Sequence, residues 1–199
     1  GNLKAGANEL AVLLENRPQS SRWYPGAGLY RKVRYITLPE VHVPVWGTYV
    51  TTPYIGEDHA VVRVRTKVNG VADGAAVTLK TRIVDTEGKV IAEETDTRQI
   101  HNGEVEQNIT VSEPALWSPE QPVLYFAETE VYTGGSVDTD WNMERPQISI
   151  RHGEDLQDKV STRFGFRTIE VRPDEGFLFN GQVRKFRGVC LHHDLGPLG

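Results

Sequence analysis

Apolar and polar residues alternate with a period of two along most of the chain. In AVVRVRTKV, residues 60–68, Val62, Val64, Thr66 and Val68 share one face and Arg63, Arg65 and Lys67 take the other, which is the pattern of a half-buried strand. Val77, Leu79, Thr81 and Ile83 alternate in the same way with Thr78, Lys80 and Arg82. Asp85-Thr86-Glu87-Gly88 then supplies a turn before the return strand opens at Val90-Ile91, so the segment predicts a hairpin. Val105, Gln107, Ile109 and Val111 mark a further strand, and YFAETEVY, residues 125–132, another. Helical periodicity is almost absent. Residues 155–160 are the one short candidate, too short to count as a helix.

Strands separated by turns every ten or so residues, with no helices between them, favour an all-β, immunoglobulin-like antiparallel β-sandwich over a parallel sheet. The pattern places it at about 41–171. Before it, Ala11–Leu14 and Leu29–Ile36 read as two strands joined by the loop NRPQSSRWYPGAG. Two strands alone are marginally stable, so they are expected to be the tail of an earlier domain. After the sandwich, GFLFNGQVRKFRGV predicts a hairpin turned at Asn180-Gly181. Its second strand, Val183 to Val189, runs into Cys190-Leu191-His192-His193-Asp194. The chain reads as tail, whole domain and head.

Composition narrows the function classes. The 199 residues are 38% hydrophobic and 25% charged, with a formal net charge of -5, which describes an ordinary globular protein without the positive field that a nucleic acid backbone demands. Arg63, Arg65 and Lys67 read as the wet face of a strand. With one cysteine, Cys190, no intramolecular disulfide can form, which leaves the compartment open. The first ten residues lack the charged and apolar regions of a signal peptide, and no run of 18 apolar residues occurs, so no membrane partner is expected. Any export signal would lie upstream.

Candidate chemistry is sparse. His192, His193 and Asp194 could form a metal site, a proton-transfer set or a polar loop. Neighbours on an extended chain point to opposite faces, which works against one ion held by both histidines, and a third ligand at suitable spacing is missing. Cys190 follows a strand and reads as a small buried thiol. Trp23-Tyr24-Pro25-Gly26, flanked by Arg17 and Arg22, is an aromatic loop that could stack on a sugar or on another domain. Trp117 lies in PALWSPEQPVLY, whose Pro119 and Pro122 exclude a central strand; its aromatic residues read as core. Trp141, near Asp138 and Asp140, reads as part of a Gly-rich connection. Glu93-Glu94 and Glu128/Glu130 fall in strand patterns, the latter on one face of an exposed strand, and no carboxylate pair stands out as the flanking set a glycosidase needs.

Three motifs in order carry a resemblance. LWSPEQPVLY, RFGFRTIEV and GFLFNGQVRKFRGVCLHHD resemble the second domain of glycoside hydrolase family 2 enzymes and the opening of their barrel. The family pattern is a Trp-Ser-Pro-x-x-Pro-x-Leu-Tyr loop, a Phe-Gly-Phe-Arg strand, an Asn-Gly hairpin and an Arg-Gly-Val-Asn-x-His strand end. NRPQSSRWYPGAGLYRKV is similar to the last strands of the family's sugar-binding jelly roll. The resemblance implies three parts: residues 1–40 ending a jelly roll, 41–171 an immunoglobulin-like sandwich, and 172–199 the hairpin and first strand of a truncated (β/α)₈ barrel.

It also implies a function for the whole protein, that of a retaining exo-β-glycosidase, foremost a β-galactosidase. The acid/base and nucleophile glutamates would lie downstream, so this chain would be a non-catalytic structural piece. By the same resemblance His192 lines the sugar pocket, Arg187 supports it, and His193 and Asp194 fit a variant of the motif. Cys190 stands where the family has Asn, which removes an amide donor. Arg22–Tyr24 fall in a loop near the active-site rim. The implied partners are a β-linked oligosaccharide and neighbouring domains of the same chain, with Mg or Na held in the missing barrel. Exposed strand edges make a homo-oligomer an expectation. The rival expectation is a stand-alone carbohydrate-binding or adhesion sandwich, supported by the aromatic loop and by a fold that hosts many functions.

Overall fold

The computed structural model describes residues 4–15, 17–19, 28–29, 32–141, 145 and 147–190. Among them every regular element is a strand. The chain divides into two units, residues 37–185 and residues 1–36 with 186–199.

The larger unit opens with β1, Thr48–Ile55, and β2, His59–Lys67. β3, Ala76–Val84, and β4, Val90–Gln99, form the hairpin expected at Asp85–Gly88. Asp85 builds that turn, its Oδ1 accepting from the amides of Glu87 and Lys89, while Gly88 takes φ +85°, a conformation glycine adopts without penalty. Next come β5, Glu104–Ser112, and β6, Tyr125–Thr133, then a ribbon of β7, Ser136–Asp140, and β8, Gln147–Arg151. β9, Asp155–Phe164, returns to the body, followed by β10, Ile169–Arg172, β11, Gly176–Phe179, and β12, Gln182–Val183.

One sheet runs β1-β2-β5 and a second β4-β3-β6-β9. This is the seven-strand immunoglobulin arrangement with its fourth strand on the edge of the second sheet. Tyr125 opens β6, and its hydroxyl accepts the Ala115 amide at 3.0 Å, the corner tyrosine expected at that strand.

Alternation delivers the core. Val62, Val64, Ile109 and Val111 of the first sheet meet Ile83, Tyr125 and Ala127 of the second around a fully buried Phe166. A second apolar cluster joins Val68, Val77, Leu79, Val105 and Val131. A polar layer lies in the strands between them. The Thr81 hydroxyl donates to Gln107 Oε1 at 2.6 Å, so the Thr129 hydroxyl, 2.9 Å from Thr81, donates in turn. Gln107 Nε2 donates to the Leu79 carbonyl at 3.2 Å. Thr66, also buried, leaves its hydroxyl without a protein partner.

Several expectations need correction. Residues 155–160 lie in β9, where pairing with β6 across its length overrides any local helical preference. Ser136–Asp140 is a strand rather than a loose connection, and Glu128 and Glu130 lie on the central strand β6, not an exposed one. Neither Ala11–Leu14 nor residues 32–36 forms a strand; Leu10, Leu13 and Val33 stay exposed, and without a ladder or an apolar layer an extended segment gains too little to order as sheet. The Asn180-Gly181 turn is present, with φ +49° and +73° as a type I′ turn requires. Its second strand is short, however. Gln182 and Val183 pair with β11, the Arg184 amide still donates to the Phe177 carbonyl at 3.0 Å, and residues 185–190 form no strand.

Candidate functional site

The motifs at Trp117, Gly165 and Asn180 meet at one junction of the larger unit. The loop before β6 lies along the chain after β9, where Leu116 bridges Phe166 in parallel and the Trp117 amide donates to the Phe166 carbonyl at 2.7 Å. A Cβ on Gly165 would sit 3.0 Å from that of Trp117, so the glycine leaves the room in which the indole lies. Phe179 meets the indole edge-on at 5.8 Å, and the Arg167 guanidinium stands 5.8 Å from its ring centre.

Asn180 ties the hairpin turn to both partners. Its Oδ1 accepts the Thr168 amide at 3.0 Å and its Nδ2 donates to the Trp117 carbonyl at 3.0 Å. Beyond the turn, Arg184 donates to both oxygens of Glu120 at 2.7 and 2.9 Å, a two-point fork that resists rotation. The Arg184 hydrogen bond pulls the Glu120 carboxyl down to about 2, and Arg184 is raised in return. The junction thus holds the chain through Arg184, just before the residues singled out as chemical.

Of those residues, Arg187 is exposed, whereas His192, His193 and Asp194 lie outside the described residues, as do Arg22 to Tyr24. Cys190 is an exposed thiol, not a buried one; the strand expected to lead into it ends at Val183, so no sheet packing reaches the thiol. Trp117 is half-buried at the junction rather than in the core.

Among the described residues the acidic side chains do not assemble an acid/base pair. Glu128 and Glu130 share Arg82 at 3.1 and 3.2 Å and Lys159 at 3.8 and 3.3 Å. The Tyr132 hydroxyl donates to Glu130 at 2.7 Å; that bond, with Lys159 and Arg82, holds Glu130 below its ordinary range against the opposing effect of burial. A general acid at neutral pH needs the opposite shift. Among the described residues no group of three His, Cys, Asp or Glu side chains could hold a metal ion. An open cleft of about 480 Å³ lies between β1 and the end of β9, lined by Tyr49, Thr51, Arg163, Phe164 and Arg167, with no carboxylate on its wall.

The family model of the glycosyl hydrolases family 2 matches residues 41–143, just over half of the chain. The chain belongs to this family. Among curated relatives it is 35% identical over 197 residues to the β-galactosidase BoGH2A of Bacteroides ovatus, covering 96% of this chain and 21% of that protein. Among solved structures, a family 2 member from Bacteroides cellulosilyticus superposes with a TM-score of 0.70 at 30% identity, over 89% of this chain and 21% of that one. The β-glucuronidase of Bacteroides uniformis does so with 0.60 at 26%, over 81% and 18%. The chain therefore spans about a fifth of the length of the relatives it matches.

Within this family 2 chain, sequence reasoning found the motif residues but missed the Arg184–Glu120 fork and the clamp made by Asn180. Glu120 and Arg184 are 64 positions apart, and no local pattern links them. The Asn180 side chain was read as turn chemistry only, which hid its second use.

Proposed function

We propose that this chain is the non-catalytic, domain-spacing part of a retaining exo-β-glycosidase that removes terminal β-galactosyl groups. The observation carrying this reading is the junction. The three motifs that resemble family 2 converge on Trp117, and they brace the chain through Arg184. The nearness of a β-galactosidase over almost the whole chain supports the choice of sugar.

On this reading residues 1–40 close a jelly-roll domain, 41–171 form the spacer sandwich, and 172–199 open the barrel. Arg187, His192, His193 and Asp194 sit at the end of the first barrel strand, where barrel active sites are built. The substrate is a β-linked oligosaccharide. Retention requires two carboxylates about 5 Å apart, one of them protonated at rest; both come from later barrel strands, and any Mg or Na site belongs to that barrel. The sandwich itself contributes rigidity and surface for its neighbours.

The test is to assay both the 199-residue chain and the longer protein containing it on nitrophenyl β-galactoside and nitrophenyl β-glucuronide. The longer protein is expected to favour the galactoside, while the chain alone, shown to be folded by circular dichroism, releases nothing above buffer. Turnover by the chain alone would overturn its non-catalytic role. A preference for the glucuronide would overturn the sugar.

A further inference from the structure

The ribbon β7–β8 is built as a projection with a fixed root. At the root, a Cβ on Gly135 would lie 2.7 Å from the Arg151 carbonyl oxygen, and one on Gly153 would lie 2.4 Å from that of Thr133; the two backbones pass too close for any side chain. The Gly153 amide donates to Thr78 Oγ1 at 2.7 Å, Thr78 and Thr97 share a hydroxyl bond of 2.7 Å, and Thr97 joins His152 Nδ1 at 2.7 Å. Beyond this anchored root one face of the ribbon is apolar. Val137 lies across from Ile150 and Thr139 across from Ile148, yet Ile148 and Ile150 are 66% and 54% exposed, and Trp141 just past β7 is 75% exposed.

The edges of the other sheets are guarded in ways that block pairing with a second chain. β4 carries Glu93, Glu94 and Asp96; β5 carries Glu104 and Glu106; β9 carries Asp155, Asp158 and Lys159; β10 carries Glu170 and Arg172. β1 lacks charge but is broken by Pro53 and a register shift between Thr51 and Tyr54, and β12 has two residues. β8 carries a single charge, Arg151 at its end. Its first four residues, Gln147 to Ile150, carry no charge, no proline and no bulge, and every residue of the strand is exposed.

We propose that β8 is a homotypic docking strand, pairing antiparallel with β8 of a second copy of this chain about a two-fold axis at Ser149. The choice of occupant follows from self-complementarity. In that register Ile148 faces Ile150 of the partner copy in both directions, so four isoleucines fall on one face and close over each other. Arg151 faces Gln147, whose own ladder neighbour is Asp140, so a positive group enters a row with a negative one and no like charges oppose. A strand of mixed charge, such as β9, meets itself with no such match. The seam is five residues long, far short of a standard interface, so the dissociation constant is expected at about 10 µM to 1 mM. This inference does not depend on the glycosidase reading.

Sedimentation equilibrium of the 199-residue chain across that range should show a monomer passing to a dimer. Ile148→Lys, which places a charge in the seam without touching the root, should weaken association about 100-fold or more while the far-ultraviolet spectrum is unchanged. The axis is tested in a Cys190→Ser background. Residues directly opposite in an antiparallel pair lie about 4.5–5.5 Å apart at Cα, within disulfide reach. Ser149→Cys should therefore cross-link to its own copy on mild oxidation, and Arg151→Cys should not. A chain that stays monomeric throughout, or a dimer that Ile148→Lys leaves intact, overturns the proposal. Cross-linking through position 151 in preference to 149 overturns the register.

Discussion

Arg184 and Glu120 show how one ion pair can matter when its geometry is fixed. The pair is partly exposed, with side-chain accessibilities of 29% and 62%, so solvent screening keeps its contribution small; its role is directional, fastening the end of the hairpin to the loop that carries Trp117. A carboxyl with a lowered folded value stabilises the fold above its unfolded value and loses that stabilisation as pH falls through the folded one. For Glu120 the window runs from about 4.5 down to about 2. Carbon-detected titration of the Glu120 carboxyl should place its midpoint near the lower bound, and Arg184→Met should return it towards the upper one. A midpoint near the upper bound in the unaltered chain would show that the fork does not form.

At the scale of elements, the polar layer between the two apolar clusters invites a paired comparison. Thr81 donates to Gln107 and accepts from Thr129, so Thr81→Val orphans a buried amide oxygen and a buried hydroxyl, at a cost of about 1–3 kcal/mol. Thr66 is as buried, but its hydroxyl has no protein partner; Thr66→Val is expected to be neutral or stabilising. Urea unfolding of both variants checks the contrast, and equal destabilisation would mean the layer does not act as a network. The strands themselves were legible in advance because burial follows the alternation: β5 and β6 hide Val105, Gln107, Ile109 and Val111, and Tyr125, Ala127, Thr129 and Val131. Asn102-Gly103 was not. Its positive φ values match those of Asn180-Gly181, yet it carries the chain from β4 in one sheet to β5 in the other, a choice made by the packing of two sheets and not by the dipeptide. The ribbon β7–β8 escaped for a related reason, since Asp138 and Asp140 break the apolar count on one strand while their partners Ser149 and Gln147 lie on the other.

Across the whole molecule, the short sheet β10-β11-β12 is bound to the sandwich by more than sequence. β10 pairs along its length with β11, Leu178 and Phe179 are buried, and Phe179 and Asn180 both contact Trp117. Ending the chain after Val171 would remove β11, the turn and the Arg184 fork together, whereas ending it after Lys185 would keep them. Burial of two large side chains at about 1.5–3 kcal/mol each puts the cost of the shorter cut near 3–6 kcal/mol. That is a large share of the about 5–15 kcal/mol that holds a domain together. The shorter form should therefore keep a β-rich spectrum but melt roughly 6–24 °C below the longer one, with Trp117 fluorescence shifted to the red as its cover is lost. Equal melting temperatures would make the hairpin a passenger, and the brace proposed for the strand end would then have to come from elsewhere in the protein.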